Sequence, residues 1–192
     1  GKASSPTPAN LKTGVDLDAI LEWVAGSGAA THDVYFGTDL ASVSNATTTV
    51  PLGVFIGNQT GTLFDPPGML AVNTTFFWRI YSVAADTPTR AKRDIWRFTT
   101  LTLPPQASNP SPLNGAANVA LAVTLTWGAG DQADSFDVYF STNQADVLAA
   151  APAAFQGNQT VKDFSPAGLA NNTQYFWRID TVNDAGTTSG VV

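Results

Sequence analysis

Phe76-Phe77-Trp78-Arg79-Ile80 returns 99 residues later as Tyr175-Phe176-Trp177-Arg178-Ile179, and the reading of this pentapeptide decides the fold. Phe76, Trp78 and Ile80 lie on one face of an extended chain and Phe77 and Arg79 on the other, the period of two that a half-buried strand requires. Outward from it, Leu21-Glu22-Trp23 recurs as Leu125-Thr126-Trp127, and Asp33-Val34-Tyr35-Phe36 as Asp137-Val138-Tyr139-Phe140, both 104 residues on. Gly57-Asn58-Gln59-Thr60 recurs 100 residues on as Gly157-Asn158-Gln159-Thr160. The falling offset means that the first copy holds about five extra residues, most of them between Phe36 and Gly57, where a loop absorbs them. Val123, Leu125 and Trp127 alternate with threonines in the same way, and so do Phe136, Val138 and Phe140. No stretch of similar length keeps a helical period; residues 144–154 are alanine-rich but interrupted by Pro152.

The 192 residues therefore divide into two modules, 1–103 and 104–192, joined where Pro104, Pro105, Pro110 and Pro112 favour an extended, semi-rigid backbone. Charged residues make up only 12% of the chain while Gly (16) and Pro (12) are plentiful, a composition of short strands and many turns. A formal charge of −6 and no clustered Lys or Arg remove the electrostatic basis for binding nucleic acid or an anionic membrane. Cysteine is absent, so each module must be held by its apolar interior alone. There is no run of about 18 apolar residues to span a bilayer, and no apolar leader at Gly1-Lys2-Ala3-Ser4-Ser5-Pro6. The expectation is a segment excised from a longer secreted protein.

In these residues the chain resembles the fibronectin type III-like modules that occur in tandem in bacterial extracellular proteins, polysaccharide-degrading enzymes among them. The resemblance lies in a Trp on the second strand (Trp23, Trp127), an aromatic third strand (Tyr35-Phe36, Tyr139-Phe140), and a Leu six residues before an aromatic opening the sixth strand (Leu70 to Phe76, Leu169 to Tyr175). It implies an all-β chain of two immunoglobulin-like sandwiches of about seven strands each. It also implies a tyrosine corner that Tyr175 can make and Phe76, lacking a hydroxyl, cannot. In the first copy Asp94-Ile95-Trp96-Arg97-Phe98-Thr99-Thr100 reads as the closing strand. Carried onto Ile179, the spacing from Ile80 to Trp96 puts the matching Trp at position 195, so the second module lacks most of its last strand. Either that strand lies beyond the given sequence or another chain supplies it.

Reactive chemistry is sparse. His32 is the one histidine and aligns with Phe136, which fits a half-buried strand-end side chain better than a base or ligand. The acid pairs Asp16 with Asp18 and Asp131 with Asp134 do not recur and read as solvated acids. No EF-hand spacing suggests calcium, no glycine-rich loop suggests nucleotide, and no cofactor is expected. The Asn-X-Thr tripeptides read as turn formers. Asp33 with Arg79, and Asp137 with Arg178, face away from the tryptophans and are expected to pair across strands. Tyr35 and Phe77, and Tyr139 and Phe176, share that outer face. They suggest either a cross-strand aromatic pair shielding the arginine through cation–π contact, or a surface for carbohydrate or protein.

The expectation is thus a non-catalytic accessory or spacer region of a secreted bacterial multidomain protein, outside the cell, whose partners are flanking catalytic or binding domains. The alternative is a module that binds polysaccharide or protein through Tyr35, Phe77, Arg79, Tyr139, Phe176 and Arg178.

Overall fold

The computed structural model describes residues 1–85 and 94–192. The chain divides into two compact units, Gly1–Thr102 and Leu103–Val192. The first contains β1 (Ser4–Thr7), β2 (Lys12–Val15), β3 (Leu21–Val24), β4 (Ala29–Gly37), α1 (Leu40–Asn45), β5 (Phe55–Gln59), β6 (Leu63–Phe64), β7 (Thr75–Ala84) and β8 (Trp96–Thr100). One sheet runs β1-β3-β6 and the other β2-β8-β7-β4-β5, antiparallel except for the β2–β8 pair. The second unit contains β9 (Ser108–Ser111), β10 (Leu125–Gly128), β11 (Ser135–Ser141), α2 (Gln144–Leu148), β12 (Phe155–Gln159), β13 (Asp163–Phe164), β14 (Phe176–Asn183) and β15 (Gly186–Thr188). Its sheets are β9-β10-β13 and β12-β11-β14-β15. Each unit is an immunoglobulin-like, fibronectin type III-like β-sandwich.

Alternation along the strands builds both interiors. In the first unit Leu21 and Trp23 of β3 meet Val34 of β4, Phe76, Trp78 and Ile80 of β7, and Trp96 and Phe98 of β8. Trp78 and Trp96 pack edge to face at 4.7 Å, one of the arrangements aromatic quadrupoles favour. Each such ring removed from water contributes on the order of 1.5–3 kcal/mol. The second interior repeats the plan with Trp127, Phe136, Val138 and Ile179, against which Trp177 is only half buried.

The tyrosine corner forms where the hydroxyl allows it: the amide of Ala170 donates to Tyr175 Oη at 3.0 Å. Phe76 cannot make this bond, and a different residue ties the same loop. Thr100 Oγ1 donates to the carbonyl of Ala71 at 2.6 Å and accepts from the amide of Thr74 at 3.0 Å.

Two features depart from the sequence expectation. Short helices α1 and α2 occupy the connections after β4 and β11, each begun by an N-cap. Asp39 accepts from the amide of Ser42, and Asn143 from that of Ala145, pairing donors that the first helical turn leaves free. The return from β14 is also tighter than equal spacing implied. Only Asp184 and Ala185 separate β14 from β15, whereas β7 ends at Ala84 and β8 begins at Trp96. The strand returning on β14 therefore starts at Gly186, and it pairs only with Thr181, Val182 and Asn183.

Candidate functional site

Among the described residues, a constellation of aromatic and charged side chains found in both units lies on the face of the larger sheet opposite the tryptophans. Strand register sets it: Tyr35 of β4 stands opposite Arg79 of β7, and Tyr139 of β11 opposite Arg178 of β14. Alternation correctly places these residues away from the sandwich interior, but the expectation of an exposed surface is corrected by burial. Tyr35 is 1% exposed, Arg79 0%, Tyr139 9% and Arg178 6%, and Phe77 and Phe176 are half buried. The cause is the helical connection, which folds back over the sheet. In the first unit Val43 of α1, Ala46 and Val54 close over Tyr35, with Phe55, Phe77, Tyr81 and Ile95 around them. In the second, Val147 of α2 and Ala154 cover Tyr139, with Ala150, Phe176 and Val192 alongside.

Beneath this cover each arginine has a definite task. The last carbonyls of a helix lack intrahelical donors and carry partial negative charge, so a cation at the C-terminus satisfies them. Arg79 Nη1 donates to the carbonyl of Ser44 at 2.6 Å, and Nη2 donates to that of Ala46. Arg178 Nη1 donates to the carbonyl of Leu148 at 2.7 Å. The planar guanidinium suits this, since it presents several donors in one fixed fork.

The buried charge is balanced differently in the two copies. Arg79 lies between two phenol rings, its Cζ 4.3 Å from the Tyr35 centroid and 5.0 Å from that of Tyr81. In the second unit Asp180 stands where Tyr81 stands in the first. Arg178 Nη2 donates to Asp180 Oδ2 at 2.8 Å, and Nε sits 2.8 Å from Oδ1 as a charge contact, with Tyr139 at 4.9 Å. The cation–π expectation therefore holds, with tyrosine as the ring. Burial, and after it the Asp137 and Asp180 charges, push the Tyr139 phenol above its ordinary pKa, while Arg178 opposes them.

The expected Asp137–Arg178 pair is replaced by Arg178–Asp180 on one strand. Residues two apart on a strand share a face, whereas Asp137 stands opposite Asp180 rather than Arg178. Asp137 instead accepts from Asn158 Nδ2 at 2.8 Å, and Asp33 from Asn58 Nδ2 at 2.7 Å. That contact accounts for the Asn of the repeated Gly-Asn-Gln-Thr. The Gln staples the following turn: Gln59 Nε2 donates to the carbonyls of Gly61 and Leu63, and Gln159 Nε2 to those of Val161 and Asp163. The Gly sits at a register shift with φ of 151° in Gly57 and 130° in Gly157, a backbone that side chains resist.

His32 is not half buried at a strand end. It is 2% exposed within the first interior, edge-on to Trp23 at 5.6 Å and 78°. Phe136 holds the same relation to Trp127, at 5.6 Å and 71°. His32 Nδ1 has no hydrogen-bond partner, and desolvation lowers its pKa below the usual histidine value. The ring therefore acts as a core aromatic. Among the described residues, no three His, Asp or Glu side chains converge as a metal-binding group. A shallow depression of about 490 Å³ in the first unit is lined by Asp18, Ile20, Asp65, Pro66, Pro67, Gly68 and Met69. No helix among the described residues is long and apolar enough to cross a membrane.

No protein-family model matches the chain, and no curated protein matches it. Solved structures similar to it include the FN1-FN3 domains of chicken CNTN1, at 10% identity over 99% of this chain and 62% of that one, TM-score 0.40. A two fibronectin type-III domain segment from chicken tenascin aligns at 11% identity over 100% and 99%, TM-score 0.37. The Streptomyces avermitilis α-L-rhamnosidase complexed with L-rhamnose aligns at 14% identity over 98% and 24%, TM-score 0.39. The chain thus spans less than two thirds of the first and third of these.

Proposed function

We propose that the chain is a non-catalytic accessory region, a pair of tandem modules that sets flanking catalytic or binding domains of a secreted bacterial protein at a distance from one another. The domains it serves would act on polysaccharide. The observation carrying this reading is the use made of the polar and aromatic constellation repeated in both units. In both units its arginine is spent on the carbonyls of a helix that the same unit lays over it. Side chains so committed hold a module in shape and are not free to converge in an open pocket, the usual mark of a ligand or substrate site. The alternative, binding through Tyr35, Phe77, Arg79, Tyr139, Phe176 and Arg178, needs those side chains at the surface, and the helical connections cover them.

The test is excision of the pair from its parent protein. Turnover of a soluble oligosaccharide should persist while action on insoluble polysaccharide falls. The isolated pair should be neither retained on polysaccharide nor hydrolytically active. Retention or hydrolysis by the pair alone would overturn the accessory reading.

A further inference from the structure

On their smaller sheets the two units turn unlike faces outward. In β3 of the first unit Leu21 and Trp23 are buried while Glu22 and Val24 are exposed, and Ile20, just before the strand, continues the outward series. Register brings β6 alongside: Glu22 stands opposite Leu63, one step from the core-facing pair of Leu21 and Phe64. The aliphatic members of this face are open, with Ile20 44%, Val24 56% and Leu63 52% exposed. Ile20 also lines the depression of the first unit together with Asp18, Asp65, Pro66 and Met69, and Met69 is 67% exposed. Strand face and depression thus form one continuous patch, in which apolar side chains are interleaved with the carboxylates of Asp18, Glu22 and Asp65.

The second unit has the same strand pairing there without the patch. Thr124, Thr126, Gly128, Asp163 and Ser165 stand at the places of Ile20, Glu22, Val24, Leu63 and Asp65. Thr124 and Ser165 join the two chain segments through a hydroxyl–hydroxyl bond of 2.8 Å. Met69 has no counterpart, because the repeat spacing falls from 100 at Gly68 and Gly168 to 99 at Leu70 and Leu169. The sandwich therefore forms without these side chains. Scattered exposed aliphatic residues are ordinary on a protein surface, but a contiguous group confined to one copy marks a contact surface. Among the described residues no Lys or Arg forms an ion pair with Asp18, Glu22 or Asp65, so a cation brought by a partner has three carboxylates to meet.

We infer that this face of the first unit docks a polypeptide partner whose surface carries Lys or Arg among aliphatic side chains. Charge complementarity chooses the occupant. The partner's aliphatic side chains pack on Ile20, Val24, Leu63 and Met69, while its cations lay their methylene stems over the same patch and reach Asp18, Glu22 and Asp65. The interleaving sets the selectivity: residues opposed on paired strands lie about 5 Å apart, so neighbouring aliphatic and acidic positions select a partner that changes in kind at a similar spacing. Against an anionic lipid surface, or against the same face of a second copy, the three carboxylates are repulsive. The inference goes beyond the spacer reading and does not depend on it, since separating two domains needs no such face.

The experiment uses the whole 192-residue chain and a short synthetic peptide of alternating Lys and Val, read by amide chemical shifts resolved residue by residue. Expected are saturable shifts confined to residues 18–24 and 61–69, with residues 122–128 and 161–168 of the second unit as an internal reference that does not move. A peptide with Glu in place of Lys should fail to bind for want of opposite charge, and one with Ser in place of Val for want of apolar contact. Ile20→Thr combined with Glu22→Thr gives the first unit the side chains that the second carries at these positions. That variant should keep its amide spectrum outside the patch and bind the Lys–Val peptide about tenfold or more weakly. Any of four results would overturn the inference: no saturable shifts, equal binding of the Lys–Ser peptide, equal shifts in the second unit, or unchanged affinity in the double variant.

Discussion

At the residue scale, the two copies solve common problems with different side chains. His32 and Phe136 do the same packing job, but only the histidine titrates. Its folded pKa is depressed by burial, so its contribution is complete above the unfolded value near 6.5 and is lost as pH falls through the folded one. No neighbouring charge contributes to that shift. Asp33 and Arg79 alternate onto the opposite face of their strands, and Glu22 points outward beside Trp23. Denaturant titrations at pH 7 and pH 5 should therefore show the first unit losing stability on acidification. His32→Phe should abolish that loss while keeping the fold, and an unchanged pH dependence in the variant would refute this role. Tyr175→Phe should cost the second unit about 1 kcal/mol by removing the bond from the Ala170 amide.

The buried ion pair carries a sharper expectation at the same scale. Arg178→Met leaves the Asp180 carboxylate buried without its cation and should cost about 3–5 kcal/mol by urea denaturation. Adding Asp180→Leu should return most of that loss, since a well-packed apolar pair avoids the desolvation of both charges. Non-recovery in the double variant would mean that the guanidinium bond to the Leu148 carbonyl is the larger contribution.

At the element scale, α1 and α2 decide whether the outer sheet face is a surface or a second interior. Six and five residues long, they are far too short to persist alone, and so depend on an N-cap at one end, an arginine at the other and one inward valine. Asp39→Ala should loosen the helix and speed exchange of the Val43 amide, which bonds to the Asp39 carbonyl. Unaltered exchange would show that the valine and arginine contacts hold the helix without its cap. The helices were faintly legible: Asp39 and Asn143 sit at matching places, each four residues before a valine. A helix this brief has no amphipathic period to detect, which is why strand alternation could be read and the cover over it could not.

At the scale of the whole molecule, each unit has its own interior and its own arginine-pinned helix, so each should fold alone. Residues 1–102 made separately should unfold cooperatively, with a midpoint close to that of the same unit in the full chain. A molten or aggregated product would show that the unit depends on the rest of the chain.

The amino-acid sequence alone determined the duplication, the strands, their inward tryptophans and the tyrosine corner at Tyr175. These follow from local spacing and from chemistry that a side chain either has or lacks. Only the tertiary structure decided that Tyr35, Arg79, Tyr139 and Arg178 are buried, that Arg178 pairs with Asp180, and that His32 lies within the first interior. Each of these depends on which segment lies against a strand face, and the period of a strand names its two faces without saying what will cover them.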